Sequence, residues 1–194
     1  YATNLKESAR SGATRGPRFN REFTRILQDQ WPIISARWRL MCHDLDYGFD
    51  WDRERVDLSI QDTAWRGNPV EYKVAANRGW QSIGVRVPGG IKVRLQPEGS
   101  ITLAETTRPW ISEPAGITLE YHDERPLGQL LVCILPNAFS ASESYLEPLE
   151  IHAVDQVTDL QIDQYSWLLF RVNDDVGSLS DNQGEYKVTV SVGS

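Results

Sequence analysis

The residues Asn173–Gly184 read N-D-D-V-G-S-L-S-D-N-Q-G and gather hard oxygen donors in one short stretch. Asp174, Asp175 and Asp181 bring carboxylates, Asn173 and Asn182 amides, and Ser178 and Ser180 hydroxyls. Gly177 and Gly184 supply sharp bends. Oxygen donors on a bent loop suit calcium, which takes six to eight oxygens in flexible geometry. The same residue types also build ordinary polar hairpin loops, so composition leaves both readings open.

Two strong strand patterns, Trp167–Val172 and Tyr186–Val192, must hold this loop. Further strands are predicted at Arg37–His43, Arg55–Gln61, Glu71–Ala75, Gln81–Val87 and Ile91–Leu95. The series continues through Ser100–Ala104, Ile117–His122, Leu127–Leu135 and Leu149–Val154. Gly, Pro, Asn and Asp punctuate them at intervals of roughly 8–12 residues, the spacing of a β-sandwich or barrel. The fold expected is all-β, a jelly-roll or galactose-binding-like sandwich with an N-terminal helix and a basic arm. The helix is predicted over Phe19–Ser35, where Phe19, Phe23, Ile26 and Leu27 share one face and Pro32 ends or kinks the pattern. Tyr1–Arg18 carries Lys6, Arg10, Arg15 and Arg18 with no large apolar cluster and reads as a flexible arm. The organisation expected is therefore an arm at 1–18, an extension at 19–68 and a sandwich at 69–194.

The bulk properties exclude some classes. A net charge of −7 disfavours broad nucleic-acid binding, which needs a basic face. No apolar run reaches the ~20 residues of a membrane span, and Tyr1–Gly16 lacks the apolar segment of a signal peptide. Cys42 and Cys133 lie in apolar segments without CxxC spacing and are expected to be buried free thiols. His43, His122 and His152 form no HxxxH or HExxH pair, and neither a GxSxG elbow nor a P-loop is present.

A second acidic run, Asp44, Asp46, Asp50, Asp52 and Glu54, raises the chemistry of clustered carboxylates in a two-metal hydrolase. Counted from Asp44, position six is Phe49 rather than the Gly of an EF-hand loop. A solvated connection between elements is the favoured reading of this run. His122-Asp123-Glu124-Arg125 reads as a polar turn after a strand, and Asp155–Asp163 as an exposed acidic loop.

From about Glu71 onward the chain resembles the PA-IL family, calcium-dependent galactophilic lectins of bacteria. The features that carry the resemblance come in order. They are Gly79-Trp80, Pro88-Gly89-Gly90, Ile91-Lys92-Val93, Glu98-Gly99-Ser100 and Pro114-Ala115-Gly116-Ile117. Pro126-Leu127-Gly128, Leu168–Asp174 and Gly184-Glu185-Tyr186 follow. The most specific is the last loop, similar to the family's N-D-x-x-G-[ST]-x-x-N-N-x-G. The resemblance implies a non-catalytic carbohydrate-binding module with calcium held by Asp174, Ser178, Asp181 and Asn182. A backbone carbonyl near Ile101 or Thr102 would complete the sphere. The sugar would meet Asp174, Ser178, Asp181, Glu113 and an aromatic face, Trp110 or Trp80. Such a role is compatible with a secreted or cell-surface protein. The family's His-Pro-x-Gln segment is Ser112-Glu113-Pro114-Ala115 here, Ser178 stands for Thr, and Asp181 for Asn. The alternative expectation is an assembly module, with self-association or a protein partner engaged through the arm and helix.

Overall fold

The computed structural model describes residues 21–23, 25, 27, 30–59, 62–104, 109–137 and 148–193. The expected basic arm, and Phe19 and Ile26 of the expected helix, lie outside them.

The molecule is an all-β sandwich, as the strand spacing predicts, with one long helix on its outside. Helix α1 spans Trp31–Asp44 and a single turn, α2, spans Trp51–Glu54. The strands are β1 Thr63–Ala64, β2 Val70–Ala75, β3 Gln81–Val87, β4 Ile91–Glu98 and β5 Ile101–Thr102. They continue as β6 Ile111–Ser112, β7 Ile117–His122, β8 Arg125–Leu127, β9 Leu130–Pro136 and β10 Glu150–Ala153. The last three are β11 Thr158–Ile162, β12 Ser166–Val172 and β13 Gln183–Val192. One sheet runs β1-β3-β12-β9-β10. The other runs β11-β4-β13-β5-β6, with β2 also paired to β13. β7 and β8 form a separate hairpin.

Strand residues point alternately to opposite faces. In β9, Leu130, Val132 and Ile134 therefore enter the core between the sheets, as Leu168, Phe170 and Val172 do from β12. Leu131, Cys133, Leu135, Trp167 and Leu169 point the other way and form a second apolar layer. That layer would face water without a cover, and Ile33, Ala36 and Leu40 of α1 supply it. Arg171 continues the outward 167/169/171 row and arrives beneath the end of α1, where it meets Asp44.

Several expectations are corrected. Residues 21–23, 25 and 27 are helical, but a turn at Gln30 separates them from α1. Pro32 does not end a helix: it opens α1, where its missing N–H costs nothing and its fixed φ suits the first turn. Arg37–His43 is helical rather than extended. Ile33, Ala36 and Leu40 are spaced for one buried helical face, whereas Trp38 and Cys42 point to solvent. The expected burial of Cys42 fails for that reason, while Cys133 is buried.

Val56 and Leu58 are buried as the alternation at Arg55–Gln61 predicts, but residues 55–59 join no sheet. The Arg37 guanidinium donates to the carbonyls of Val56 (3.1 Å) and Leu58 (3.2 Å), satisfying acceptors that a strand ladder would otherwise take. Asp155–Asp163 is not all loop. β11 pairs with β4 because Leu160 and Ile162 alternate inward, while Asp159 forms a two-pronged pair with Arg94 (2.8 and 3.0 Å). Among the described residues no helix is long and apolar enough to cross a membrane.

Candidate functional site

The donor-rich loop leaves β12 at Val172 and returns through a 3-10 turn, Leu179–Asp181, into β13. Its shape follows from its own polar groups. Asp174 Oδ1 accepts from the Asp175 N–H (2.7 Å), and Asp175 Oδ1 from the Gly177 N–H (2.7 Å). Short acidic side chains readily close such local turns. Val176 and Leu179 are buried and anchor the loop to the body.

Three outside elements hold the loop. The Asn173 amide nitrogen faces the carbonyls of His122 (2.9 Å), Arg125 (3.1 Å) and Pro126 (3.0 Å), tying the β7–β8 hairpin to the loop's first residue. Tyr186 of β13 shares its hydroxyl hydrogen between the Glu113 and Gly128 carbonyls (2.7 and 3.0 Å), and the Gly128 N–H in turn donates to the Asn173 carbonyl (2.7 Å). Gly48, at φ 88°, brings the connection after α1 against Gly177. A Cβ on Gly48 would lie 2.6 Å from the Gly177 Cα, so this crossing tolerates no side chain.

The result is a cavity of about 340 Å³ lined by Trp110, Tyr121, His122, Asp174, Ser178 and Asp181. Of the expected ligand-binding residues, Asp174, Ser178, Asp181 and Trp110 meet here. Glu113 is exposed and does not line the cavity, and its carbonyl serves Tyr186 instead. Trp80 is 1 % exposed, within the layer beneath α1, and offers no open face for stacking. Thr102 pairs across from Gln183, next to Asn182, without lining the cavity. Tyr121 and His122 were missed as site residues. Their signal is a strand ending in a tight His-Asp-Glu-Arg turn, with Asp123 and Glu124 at φ 48° and 62°.

Part of this donor set is committed inward. Asp174 is buried, and its Oδ2 accepts from the Asn182 amide (2.7 Å), which also donates to the Ala76 carbonyl (3.2 Å). Burial raises the Asp174 pKa above the ordinary carboxylate value, and the charge of Asp181 adds to the rise. The Asn182 and Asp175 donors oppose it. Asn182 Oδ1 is buried with no donor. An orphaned buried acceptor costs free energy unless something supplies positive charge or a hydrogen. Asp174, Ser178 and Asp181 line the cavity while Asn182 does not, and carboxylate and hydroxyl oxygens are donors of the type a hard cation takes. Among the described residues no three His, Cys, Asp or Glu side chains cluster at metal spacing. The oxygen donors that the cavity brings together are thus two carboxylates and a hydroxyl.

Comparison with solved structures finds the EclA N-terminal domain, described as a PllA-like lectin. It is 19% identical, and the match covers 65% of this chain and 98% of that one at a TM-score of 0.49. No protein-family profile and no curated protein matches the chain.

The second acidic run disperses. Asp50 caps α2, accepting from the N–H groups of Asp52 (2.9 Å) and Arg53 (3.4 Å). Asp44 is 8 % exposed, paired with Arg171 at 3.1 Å and accepting from His43 Nδ1 at 2.7 Å. That hydrogen bond raises the His43 pKa. Glu54 is 7 % exposed, and neither carboxylate oxygen has a partner. Its desolvation pushes its pKa up to about 7.

Proposed function

We propose that this chain is a calcium-dependent carbohydrate-binding module without catalytic activity. The observation that carries the reading is that Trp110, Asp174, Ser178 and Asp181 line one cavity. Asp174, Asp181, Ser178 and Asn182 would hold the calcium, with a backbone carbonyl near Thr102. When bound, the ion supplies a Lewis-acidic point for paired sugar hydroxyl oxygens. The chain's own groups do the rest. The Asp181 carboxylate accepts hydrogen bonds from hydroxyls, charge-assisted bonds stronger than neutral ones. Trp110 and Tyr121 offer apolar ring faces to the C–H face of a sugar. The segment where the PA-IL family carries His and Gln lacks both here, so the sugar is not assigned.

The test is calorimetric calcium titration of the wild type and Asp181→Ala. Asp181 is exposed, so its loss leaves the core intact. Saturable binding is expected in the wild type, weakened at least about tenfold in the variant, the loss of one charged ligand from a calcium site. Glycan retention is expected in calcium and not in chelator. No saturable binding at millimolar calcium would sink the calcium dependence.

One observation favours a second reading, an assembly module. Trp31, Ile34 and Trp38 form an exposed stripe along α1, continued by Leu45, Tyr47 and Trp51 beyond it. Contiguous exposed apolar surface commonly marks contact with another protein. If α1 mediates self-association, sedimentation will show a concentration-dependent dimer that Trp38→Glu converts to monomer. A wild type that stays monomeric at all concentrations removes self-association through this face.

A further inference from the structure

A larger cavity, about 390 Å³, adjoins the one lined by Trp110. His122 and Asp175 line both cavities and form the wall between them. The larger one is walled by His43, Asp44 and Asp46 at the end of α1, by Asp123 and Arg125 of the hairpin, and by Arg171 of β12.

We propose that this cavity is a second saccharide subsite, contiguous with the first, so that the chain binds a neutral oligosaccharide rather than a single sugar. The inference rests on the carbohydrate-binding reading and extends it.

The cavity is a built polar site rather than a gap in packing. Asp44, Arg171 and Asn173 line it, and each is more than nine-tenths buried. Arg171 is held by Asp44 (3.1 Å), by the Asp174 carbonyl (3.2 Å) and by the Trp80 ring, 5.5 Å away. Asn173 is held by the hairpin carbonyls. Groups fixed in this way meet a ligand without a large ordering cost. Trp80 also lines the cavity, and its indole N–H is buried with no acceptor among the described residues.

The mixture of groups matches saccharide hydroxyls, each of which donates one hydrogen bond and accepts others. Asp46 and Asp175 each give one carboxylate oxygen to a backbone N–H, of Tyr47 and Gly177, and keep a second oxygen to accept from a ligand. Ring nitrogens of His43 and His122 and the Arg125 guanidinium provide donors. The charge selects among sugars. Asp46, Asp123 and Asp175 outnumber the cations, because Arg171 is spent on Asp44 and Arg125, which also donates to the Ile151 carbonyl (3.2 Å), brings one positive charge against three negative. A uronate or another carboxylate-bearing sugar would meet like charge.

The test titrates the full chain, in calcium, with neutral hexose mono-, di- and trisaccharides and with uronate-terminated trisaccharides. The wild type is expected to hold its best neutral trisaccharide roughly tenfold more tightly than the monosaccharide, as one or two added net hydrogen bonds would produce. The uronate-terminated form binds more weakly. Asp46→Ala/Asp123→Gly removes two exposed carboxylates, and glycine suits the positive φ at 123. This variant should keep monosaccharide affinity and lose the gain with length. Asp181→Ala should weaken sugars of every length. A wild type with no gain with length, or a double variant that keeps the gain, overturns the second subsite and leaves the first site standing. Failure of the wild type to bind any saccharide overturns both.

Discussion

Raising the pH from 5 to 8 is expected to lower the folding stability of this chain by roughly 3 kcal/mol, and Glu54→Gln is expected to abolish most of that loss. The Glu54 carboxyl is buried, with no hydrogen-bond partner on either oxygen. Desolvation raises its pKa from 4.5 to about 7, against the opposing charge of Arg171 and with Asp44 and Asp50 adding to the rise. Between those values the native state holds a proton that the unfolded chain has released. The Glu54 contribution to stability is therefore full below pH 4.5 and falls as pH rises towards about 7. His43 acts in the same direction. Its folded pKa is raised, so its contribution is present below its ordinary value of 6.5 and is lost as pH rises through the folded value. Asp174, also raised, weakens the fold above its ordinary value of 3.8. Urea unfolding at pH 5 and pH 8 reads the slope directly. An equal slope in Glu54→Gln would show that Glu54 reaches water or a partner in solution. Gly79 accounts for the placement, since a Cβ there would overlap the Glu54 carboxylate.

Arg171→Met is expected to cost about 3–5 kcal/mol, the loss that follows when one member of a buried ion pair is removed. Asp44 would keep only the hydrogen bond from His43, in a site 8 % exposed. The Trp80 face would also lose its cation. The double variant Arg171→Met/Asp44→Leu should recover most of the loss, because the penalty lies in the stranded charge rather than in the absence of attraction. Chemical denaturation of the two singles and the double gives the coupling energy. A loss below about 1 kcal/mol in Arg171→Met would mean that Asp44 is rehydrated through the adjoining cavity.

The two predictions concern one seam, where α1 and the connection after it meet the outer face of the five-stranded sheet. Little of that seam was legible in advance. Arg37–His43 carries two periods at once. Trp38, Leu40 and Cys42 alternate as in a strand, while Ile33, Ala36 and Leu40 share a helical face. A short segment with both periods is ambiguous by pattern alone. The decision came from Leu131, Cys133, Leu135, Trp167 and Leu169, a row far along the chain that needs an apolar cover. Glu54 stands between Arg53 and Arg55 in a run that reads as solvated, and nothing local marks its burial.

The sandwich was plain because its signal is local and redundant. β9 and β12 are short apolar runs bounded by turn residues, and β2, β3, β4 and β13 fall where alternation places them. β11 was missed because acidic residues interleave Leu160 and Ile162, although on a strand with one solvated face they belong outside. The donor-rich loop was legible for the same local reason, since its turn-forming residues are also its oxygen donors. The amino-acid sequence thus determined which oxygen donors and aromatic rings the chain has to offer. Tertiary structure alone decided which of them meet: it set Trp110 and Asp181 around one cavity, withdrew Trp80 and Glu113, and raised a second cavity against Arg171. Side-chain type is a property of single residues, whereas a cavity wall is assembled from residues far apart, whose approach depends on how the sheets, helix and hairpin pack.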